Sequence, residues 1–308
     1  MLNNLFRKGF AILLLAGFLT SCRSNDVENM IDNPQPAPTA NMQGQIVFSA
    51  KMTEKEDYEL FLFDIQSGVL EQLTDNEFED IAPDFSPDGT SIAYSANPNG
   101  VYDLFVLNLE SLKITSLLEE AGTDKTEPAW SPDGKFVSYQ SNAYGDNDIF
   151  ILTVADGTFE RVTEQDSQET QANWQVDGKS LVFVSNSDGD FDVYSMPLDS
   201  ETITILTTND DYDASPVVSP DGEKIAFLSK RAGSFDIYLM EIDGSNETVL
   251  VQNAATNHSP EWSPDGSELA FVSDYDSHST VYLVKIDSGE IFTLLDDFFH
   301  YAGLTWRK

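Results

Sequence analysis

The chain has 308 residues and a formal net charge of −37, from 53 acidic against 16 basic residues. An acidic surface of this kind excludes a basic, phosphate-reading face, so we expect no nucleic-acid partner. A hydrophobic fraction of 41% still permits a sizeable core, whereas one cysteine and three histidines exclude a disulfide framework and argue against a zinc site or a Cys/His catalytic pair.

The first segment predicts a bacterial lipoprotein signal peptide over residues 1–21. A charged start precedes an apolar run too short to span a bilayer, and the run ends in Leu19-Thr20-Ser21-Cys22. This ending resembles the lipoprotein cleavage box, which implies lipidation of Cys22 and membrane attachment through lipid alone. Arg23 then favours sorting to the outer membrane, and both periplasmic and surface-facing orientations stay open.

Residues 22–43 predict a flexible tether between the lipid and a folded domain. The segment is polar, shows no hydrophobic periodicity, and carries prolines at positions 34, 36 and 38. Such a composition is typical of extended linkers.

Internal repetition dominates residues 44–308. Ser-Pro-Asp-Gly occurs four times, Gln175-Val176-Asp177-Gly178 is a degenerate copy, and the aspartates recur every 44 or 45 residues. Proline fixes φ, aspartate accepts backbone hydrogen bonds and glycine takes the left-handed position, so each copy predicts a tight turn with a structural carboxylate. The five aspartates are Asp88, Asp133, Asp177, Asp221 and Asp265.

Aromatic residues keep the same period. One column holds all four tryptophans, which predicts packing between repeats rather than a ligand platform: Trp130, Trp174, Trp262 and Trp306. Two further columns are aromatic throughout, and each repeat contains four short strand patterns. Four strands in about 44 residues is the size of a propeller blade.

The two ends predict how the ring closes. The chain from Gly44 matches the second strand of a blade, whereas residues 304–308 match a first strand with no blade after it. Pairing the two leaves no open inner edge. We therefore predict an all-β fold over residues 44–308, a six-bladed β-propeller with four-stranded blades, and we expect a monomer.

The repeat also resembles a known family. The pattern acidic-x-x-Pro-x-Trp-Ser-Pro-Asp-Gly, then Ile-x-Phe-x-Ser and Asp-Ile-Tyr, is similar to the propeller repeat of the TolB family, over about 265 of 308 residues. The resemblance implies a non-enzymatic envelope module that binds a protein or peptide at the channel mouth. TolB proteins carry a small α/β domain before the propeller, where this chain has the predicted anchor and tether.

Loops leading into the first strands of the blades supply the candidate partner-binding residues. These loops and those joining second to third strands share one face of a propeller. Their varied, mostly acidic positions predict a recognition face for a cationic envelope protein or peptide, and a solvated acidic surface is the alternative. The selected residues are Asp80, Glu127, Glu169, Asp213, His258 and Tyr301.

Two other functions stay open. A carbohydrate lyase or hydrolase working from the channel would need converging histidines, and the chain has only His258, His278 and His300. Because no Gly-x-Ser-x-Gly elbow occurs either, we predict no enzymatic activity and no catalytic residues. Residues Asp188-Gly189-Asp190-Phe191-Asp192 alternate carboxylates with glycine, which suits a Ca²⁺ site of structural or sensory role. We expect no other cofactor.

Overall fold

The computed structural model describes residues 35–36, 43–54, 56–118, 122–200, 202–275, 278–296 and 298–307. These ranges contain 25 strands, β1 to β25, in six sheets. The predicted signal peptide, Cys22 and most of the predicted tether lie outside the described residues. Within the described part of the chain, no helix has the length and hydrophobicity needed to cross a membrane.

The six sheets are the predicted blades, each with its strands in order from the channel outward. Blade 1 is β25 (His300–Arg307), β2 (Gln45–Lys51), β3 (Glu59–Asp64) and β4 (Val69–Gln72). Blade 2 is β5 (Asp80–Phe85), β6 (Ser91–Ala96), β7 (Asp103–Asn108) and β8 (Lys113–Ser116). Blade 3 is β9 (Lys125–Trp130), β10 (Phe136–Ser141), β11 (Asp148–Thr153) and β12 (Phe159–Arg161).

The second half of the ring repeats this order. Blade 4 is β13 (Glu169–Trp174), β14 (Ser180–Ser185), β15 (Asp192–Pro197) and β16 (Thr204–Ile205). Blade 5 is β17 (Asp213–Val218), β18 (Lys224–Ser229), β19 (Asp236–Glu241) and β20 (Thr248–Val251). Blade 6 is β21 (Thr256–Trp262), β22 (Glu268–Tyr275), β23 (His278–Lys285) and β24 (Ile291–Leu295).

The last strand closes the ring as predicted. β25 pairs antiparallel with β2, in a register that runs from Gln45 opposite Arg307 to Lys51 opposite His300. The closing strand is therefore the innermost strand of blade 1, and all six inner strands face the channel. The fold class and closure predicted from the sequence are confirmed.

A short strand was not predicted. β1 (Gln35–Pro36) lies within the segment predicted as a tether and pairs in parallel with Phe292 and Thr293 of β24. It adds a fifth strand to the outer edge of blade 6. Two residues of the predicted tether thus contact the propeller.

The aspartates of the repeated turns have a structural role, as predicted. In blade 6, Asp265 accepts hydrogen bonds from Ser263 Oγ at 2.8 Å, from the Ser267 backbone N–H at 3.0 Å and from Ser267 Oγ at 2.7 Å. Gly266 follows with a φ of 73°. The same arrangement recurs at Asp88, Asp133 and Asp221, where these hydrogen bonds also lower the carboxyl pKa. The turn carboxylates are consequently engaged within their own blades.

The core lies between neighbouring blades rather than within one sheet. One cluster packs Phe48 and Phe61 of blade 1 against Val272 and Leu283 of blade 6. Two residues of the tryptophan column also join blades through hydrogen bonds. Trp174 Nε1 donates to the Ala129 carbonyl of the preceding blade at 3.0 Å, and Trp262 Nε1 donates to the Val217 carbonyl at 3.0 Å. The expectation that these tryptophans pack between blades is confirmed.

Candidate functional site: the propeller channel

The inner strands of all six blades line a central channel with a volume of about 480 Å³. Loops between second and third strands, represented by Tyr58 and Tyr102, line it together with Glu79 from a loop before a first strand. The two loop sets therefore meet at one end of the channel, as the sequence predicts. We call this end the mouth.

Each inner strand carries a β-bulge at the same position. In β5, Ile81 pairs with Ser95 and Asp84 pairs with Ala93, so Ala82 and Pro83 together oppose one residue of β6. The first bulge residue has a positive φ in every blade, and all six of these residues line the channel: Ala82, Glu127, Gln171, Ser215, Ser259 and Gly303. The bulge is thus a constant feature of the repeat whose side chain varies from blade to blade.

The bulge changes which side chains reach the channel. A regular strand alternates its side chains between two faces, but an extra residue shifts the alternation by one. In β5 the residues at positions 80 and 85 are buried away from the channel, whereas those at 81, 82 and 84 line it, and Pro83 is buried but also borders the channel. In β5 the first residue consequently points into the protein, and the fifth points into the channel.

The predicted contact residues fall into two groups, those whose side chains are buried in the protein and those whose side chains line the channel. Asp80 and Asp213 are 0% exposed, Glu169 is 1% exposed and Tyr301 is 0% exposed, because each occupies a buried position at the start of its inner strand. Their side chains cannot contact a partner in this structure, and the prediction that they form the recognition face is corrected. Glu127 and His258 do line the channel.

The buried residues of that column act as internal supports. Asp213 Oδ2 accepts hydrogen bonds from Asn209 Nδ2 at 2.6 Å and from Arg231 Nη2 at 3.3 Å. Asp80 Oδ2 accepts one from Asn76 Nδ2 at 2.7 Å, and burial raises its pKa to about 6. These bonds fix the loops that lead into the inner strands.

Further along the inner strands, a second ring of side chains was missed by the sequence analysis. Asp84 Oδ2 accepts the Trp130 backbone N–H of the next blade at 2.6 Å. Asn173 Oδ1 does the same for Val218 at 3.1 Å, and Glu261 accepts the Trp306 N–H. These acceptors come from blades 2, 4 and 6, whereas the equivalent residues of blades 3, 5 and 1 are Ala129, Val217 and Thr305.

The channel carboxylates lie in an unfavourable environment for negative charge. Desolvation raises the pKa of Asp84 to about 7, although bonds from Trp130 and Thr305 oppose the shift. Desolvation, followed by repulsion from Asp84, raises the pKa of Glu261 well above its usual value. Glu127 opens to the water of the channel but is surrounded by protein, and this desolvation raises its pKa as well.

The charge of the lining is one-sided. Its carboxylates are Glu79, Asp84, Glu127 and Glu261, and the lining contains no Lys or Arg among the described residues. Glu79 alone has an ion pair, with Lys51 Nζ at 3.2 Å. The channel is therefore suited to receive positive charge.

The mouth carries a cluster of histidines between blades 6 and 1. His258 Nε2 lies 3.3 Å from Asp274 Oδ2, and His300 Nε2 lies 3.7 Å from the same oxygen. The two imidazole rings are nearly parallel, with centroids 6.1 Å apart. Tyr58 Oη and His300 Nδ1 share a hydrogen bond of 2.8 Å. The sequence analysis selected His258 for this face but missed Tyr58.

The predicted Ca²⁺ segment also brings its side chains together. One carboxylate oxygen from each of Asp188, Asp190 and Asp192 lies within 4.8 Å of the others. Desolvation is the main cause that raises the pKa of Asp192 to about 7, and repulsion from Asp188 and Asp190 adds to it, while Thr207 Oγ1 donates to Asp192 Oδ1 at 2.8 Å. The arrangement is an acidic cluster at the start of β15.

Comparison with known proteins identifies the architecture. A family profile described as the TolB beta propeller domain matches residues 34–220 and 209–297, which is most of the chain. The chain belongs to the TolB β-propeller family. A search of curated protein sequences gave no match.

Solved structures agree with this family. TolB from Acinetobacter baumannii is 19% identical with a TM-score of 0.77, over 85% of this chain and 66% of that protein, slightly less than two thirds of its length. An Agrobacterium tumefaciens protein assigned to TolB is 27% identical with a TM-score of 0.67, over 83% of this chain and 90% of that one. An oligogalacturonate lyase in complex with manganese shares the fold at 16% identity and a TM-score of 0.55, over 82% and 73% of the two chains.

Proposed function

We propose that the protein is a lipid-anchored module of the bacterial envelope that binds a partner without catalysis. Its channel receives an extended, cationic segment of another envelope protein or peptide. The observation that carries this proposal is the lining of Glu79, Asp84, Glu127 and Glu261 without a Lys or Arg among the described lining residues. Membership of the TolB β-propeller family supports the same kind of role.

The electrostatics favour a cationic ligand for two reasons. Field lines from several carboxylates are focused by the low-dielectric walls of a channel, which attracts positive charge from solution. A bound Lys or Arg side chain would also offset the cost of ionising Asp84 and Glu261, whose pKa values are raised chiefly by desolvation. Binding should therefore release protons near neutral pH.

A synthetic extended peptide rich in Lys tests this proposal, with binding followed by fluorescence anisotropy at low salt. Glu127→Lys places a positive charge in the channel wall, so we expect affinity to fall roughly tenfold or more. Glu71→Lys is the matched control, because Glu71 lies exposed on the outer strand β4 and makes the same charge change away from the channel. Equal losses in the two variants would contradict a channel site.

Cross-linking in intact cells would identify the natural partner. Wild-type protein should capture a distinct partner that Glu127→Lys does not capture and Glu71→Lys does. Partners that Glu127→Lys still captures bind elsewhere on the propeller. If every captured partner were of this kind, the channel would not be the binding site.

The anchor is tested separately. Cys22→Ser removes the thiol needed for acylation, and we expect the protein to leave the membrane fraction while the propeller remains folded. Mass spectrometry of the mature wild-type protein should find acyl chains on an N-terminal Cys22. A membrane-bound, unmodified Cys22→Ser protein would contradict the proposed attachment.

A Ca²⁺-binding structural or sensory role is the second candidate, favoured by the convergence of Asp188, Asp190 and Asp192. Three carboxylates supply part of the oxygen shell that Ca²⁺ takes. Calorimetry should show Ca²⁺ binding by wild type that Asp190→Asn weakens, and no heat at millimolar Ca²⁺ would end this candidate. The lyase or hydrolase alternative is not favoured, because the oligogalacturonate lyase likeness, at 16% identity, supports the fold alone.

A further inference from the structure

We propose that His258, Asp274 and His300 form a binding site for a divalent transition-metal ion, with Zn²⁺ as the ion of choice. The small number of histidines argued against such a site in the sequence. The fold nevertheless brings two of the three histidines in the chain to one carboxylate. This inference does not depend on the proposed cationic partner.

Both histidines face one carboxylate oxygen, but the three ligand atoms do not all lie within 4.8 Å of one another, so metal binding would require the two rings to move closer together. Both Nε2 atoms face the same oxygen, Asp274 Oδ2, at 3.3 and 3.7 Å. Zinc–ligand bonds of about 2.0–2.2 Å place neighbouring ligands of a tetrahedral site about 3.4 Å apart. The two nitrogen–oxygen separations match this spacing, and the bound ion would draw the imidazole rings, now 6.1 Å apart, towards each other.

The other polar atoms of these side chains already have partners. His300 Nδ1 shares a hydrogen bond of 2.8 Å with Tyr58 Oη, and His258 Nδ1 shares one of 3.1 Å with Ser259 Oγ. Ser279 Oγ donates to Asp274 Oδ1. Metal-binding histidines characteristically have the second ring nitrogen fixed in this way, which orients the ring and leaves Nε2 for the metal.

The contacts between Asp274 and the two histidines are ones that a metal ion can take over. A carboxylate oxygen that faces two imidazole nitrogens is stabilised only if a proton or a metal ion lies between them. A metal ion would replace those protons on binding, as it does when it binds protonated ligands generally. His258 Nε2 is buried and faces Asp274 Oδ2 at 3.3 Å without a well-aligned hydrogen bond, in the position a metal ligand would take.

The site is accessible and coordinatively open. The side chains of His258, His300 and Asp274 are 25%, 39% and 32% exposed, which gives an ion a path from the solvent. Imidazole and carboxylate ligands suit Zn²⁺ and its neighbours better than Ca²⁺ or Mg²⁺. Three protein ligands leave a fourth position for water or for a group of a bound molecule at the mouth.

Equilibrium dialysis of the purified protein against Zn²⁺ tests the site, and Co²⁺ provides a spectroscopic readout. We expect one Zn²⁺ per chain at the mouth and a visible Co²⁺ absorption typical of four-coordination. The double variant His258→Ala/His300→Ala should lose this binding. Tyr58→Phe removes only the hydroxyl that fixes His300, and we expect a loss of affinity of roughly 10–100-fold.

Glu71→Gln is the matched control, since it removes an exposed carboxylate from the outer strand β4 and leaves the histidines unchanged. Thermal unfolding without metal checks that every variant is folded. Absence of Zn²⁺ binding to wild type at micromolar concentration would overturn the proposal. So would equal Zn²⁺ affinity and an unchanged Co²⁺ spectrum in the double histidine variant.

Discussion

The turn aspartates and the channel carboxylates carry the same chemical group, but the former lie at the surface among hydrogen-bond donors and the latter lie in a desolvated channel. Asp133 lies at the surface, where hydrogen bonds from Lys135 and Ser131 lower its pKa to about 2. Asp84 lies in the channel, where desolvation raises its pKa to about 7. The turn residues recur in nearly every blade, whereas Asp84 and Glu261 do not. Acidic residues that recur in the repeat therefore have a structural role, whereas Asp84 and Glu261, which do not recur, line the channel.

The largest expected effect comes from neutralising the two channel acids together. The pKa of Asp84 is higher folded than unfolded, so the folded state binds more protons between about pH 4 and 7 and loses stability as pH rises through that range. Asp84→Asn/Glu261→Gln keeps both hydrogen-bond acceptors. We expect it to stabilise the protein by about 1–3 kcal/mol at pH 7.5 and by much less at pH 4.

Urea unfolding at the two pH values measures this difference. Glu71→Gln, on the outer strand β4, is the control for a general effect of lower net charge. If the control gains as much stability as the double variant, the channel position of the two acids is irrelevant and the comparison fails.

Removing a turn carboxylate should act in the opposite direction. Asp265→Ala leaves the Ser263 hydroxyl and two Ser267 donors without their acceptor. We expect a loss of about 1–2 kcal/mol at neutral pH, measured by urea unfolding. A variant as stable as wild type would show that the repeated turn does not depend on its aspartate.

Adding an acid to the channel should strengthen the proposed binding modestly. Ala129 occupies in blade 3 the position that Asp84 and Glu261 occupy in blades 2 and 6. Ala129→Asp should raise affinity for the Lys-rich peptide about two- to fivefold at low salt, with the gain disappearing at high salt. Anisotropy titrations at two salt concentrations are the measurement, and unchanged affinity would argue against binding at this depth.

The subtlest difference can be measured in the wild-type protein, by titrating a turn carboxylate and a channel carboxylate directly. Carboxyl ¹³C NMR should show the turn residue Asp133 titrating near pH 2 and the channel residue Asp84 near pH 7. Overlapping titrations near pH 4 would remove the electrostatic distinction between them.

The sequence was sufficient for the fold because the four-strand pattern recurs in six blades and the turn after the inner strand recurs in five of them. It was insufficient for the site because the bulge at Ala82 and its equivalents shifts the strand alternation within a single residue. A regular alternation would put Asp80 and Asp84 on the same face, whereas the structure buries the former and turns the latter to the channel. The first bulge residue gives no signal, since alanine, glutamate, glutamine, serine and glycine all occupy it, but the proline that follows it in blades 2, 3, 5 and 6 could have indicated a bulge.

The Tyr58–His300 hydrogen bond joins residues 242 positions apart, across the pairing of β2 with β25. Bringing such distant parts of a chain together has a high entropic cost, and each contact at the seam reduces the tendency of the ring to open there. His258 and Asp274 reach the same point from blade 6. A molecule or ion held by these side chains would bridge the closure of the ring. Its binding should therefore increase the resistance of the closed ring to mechanical opening.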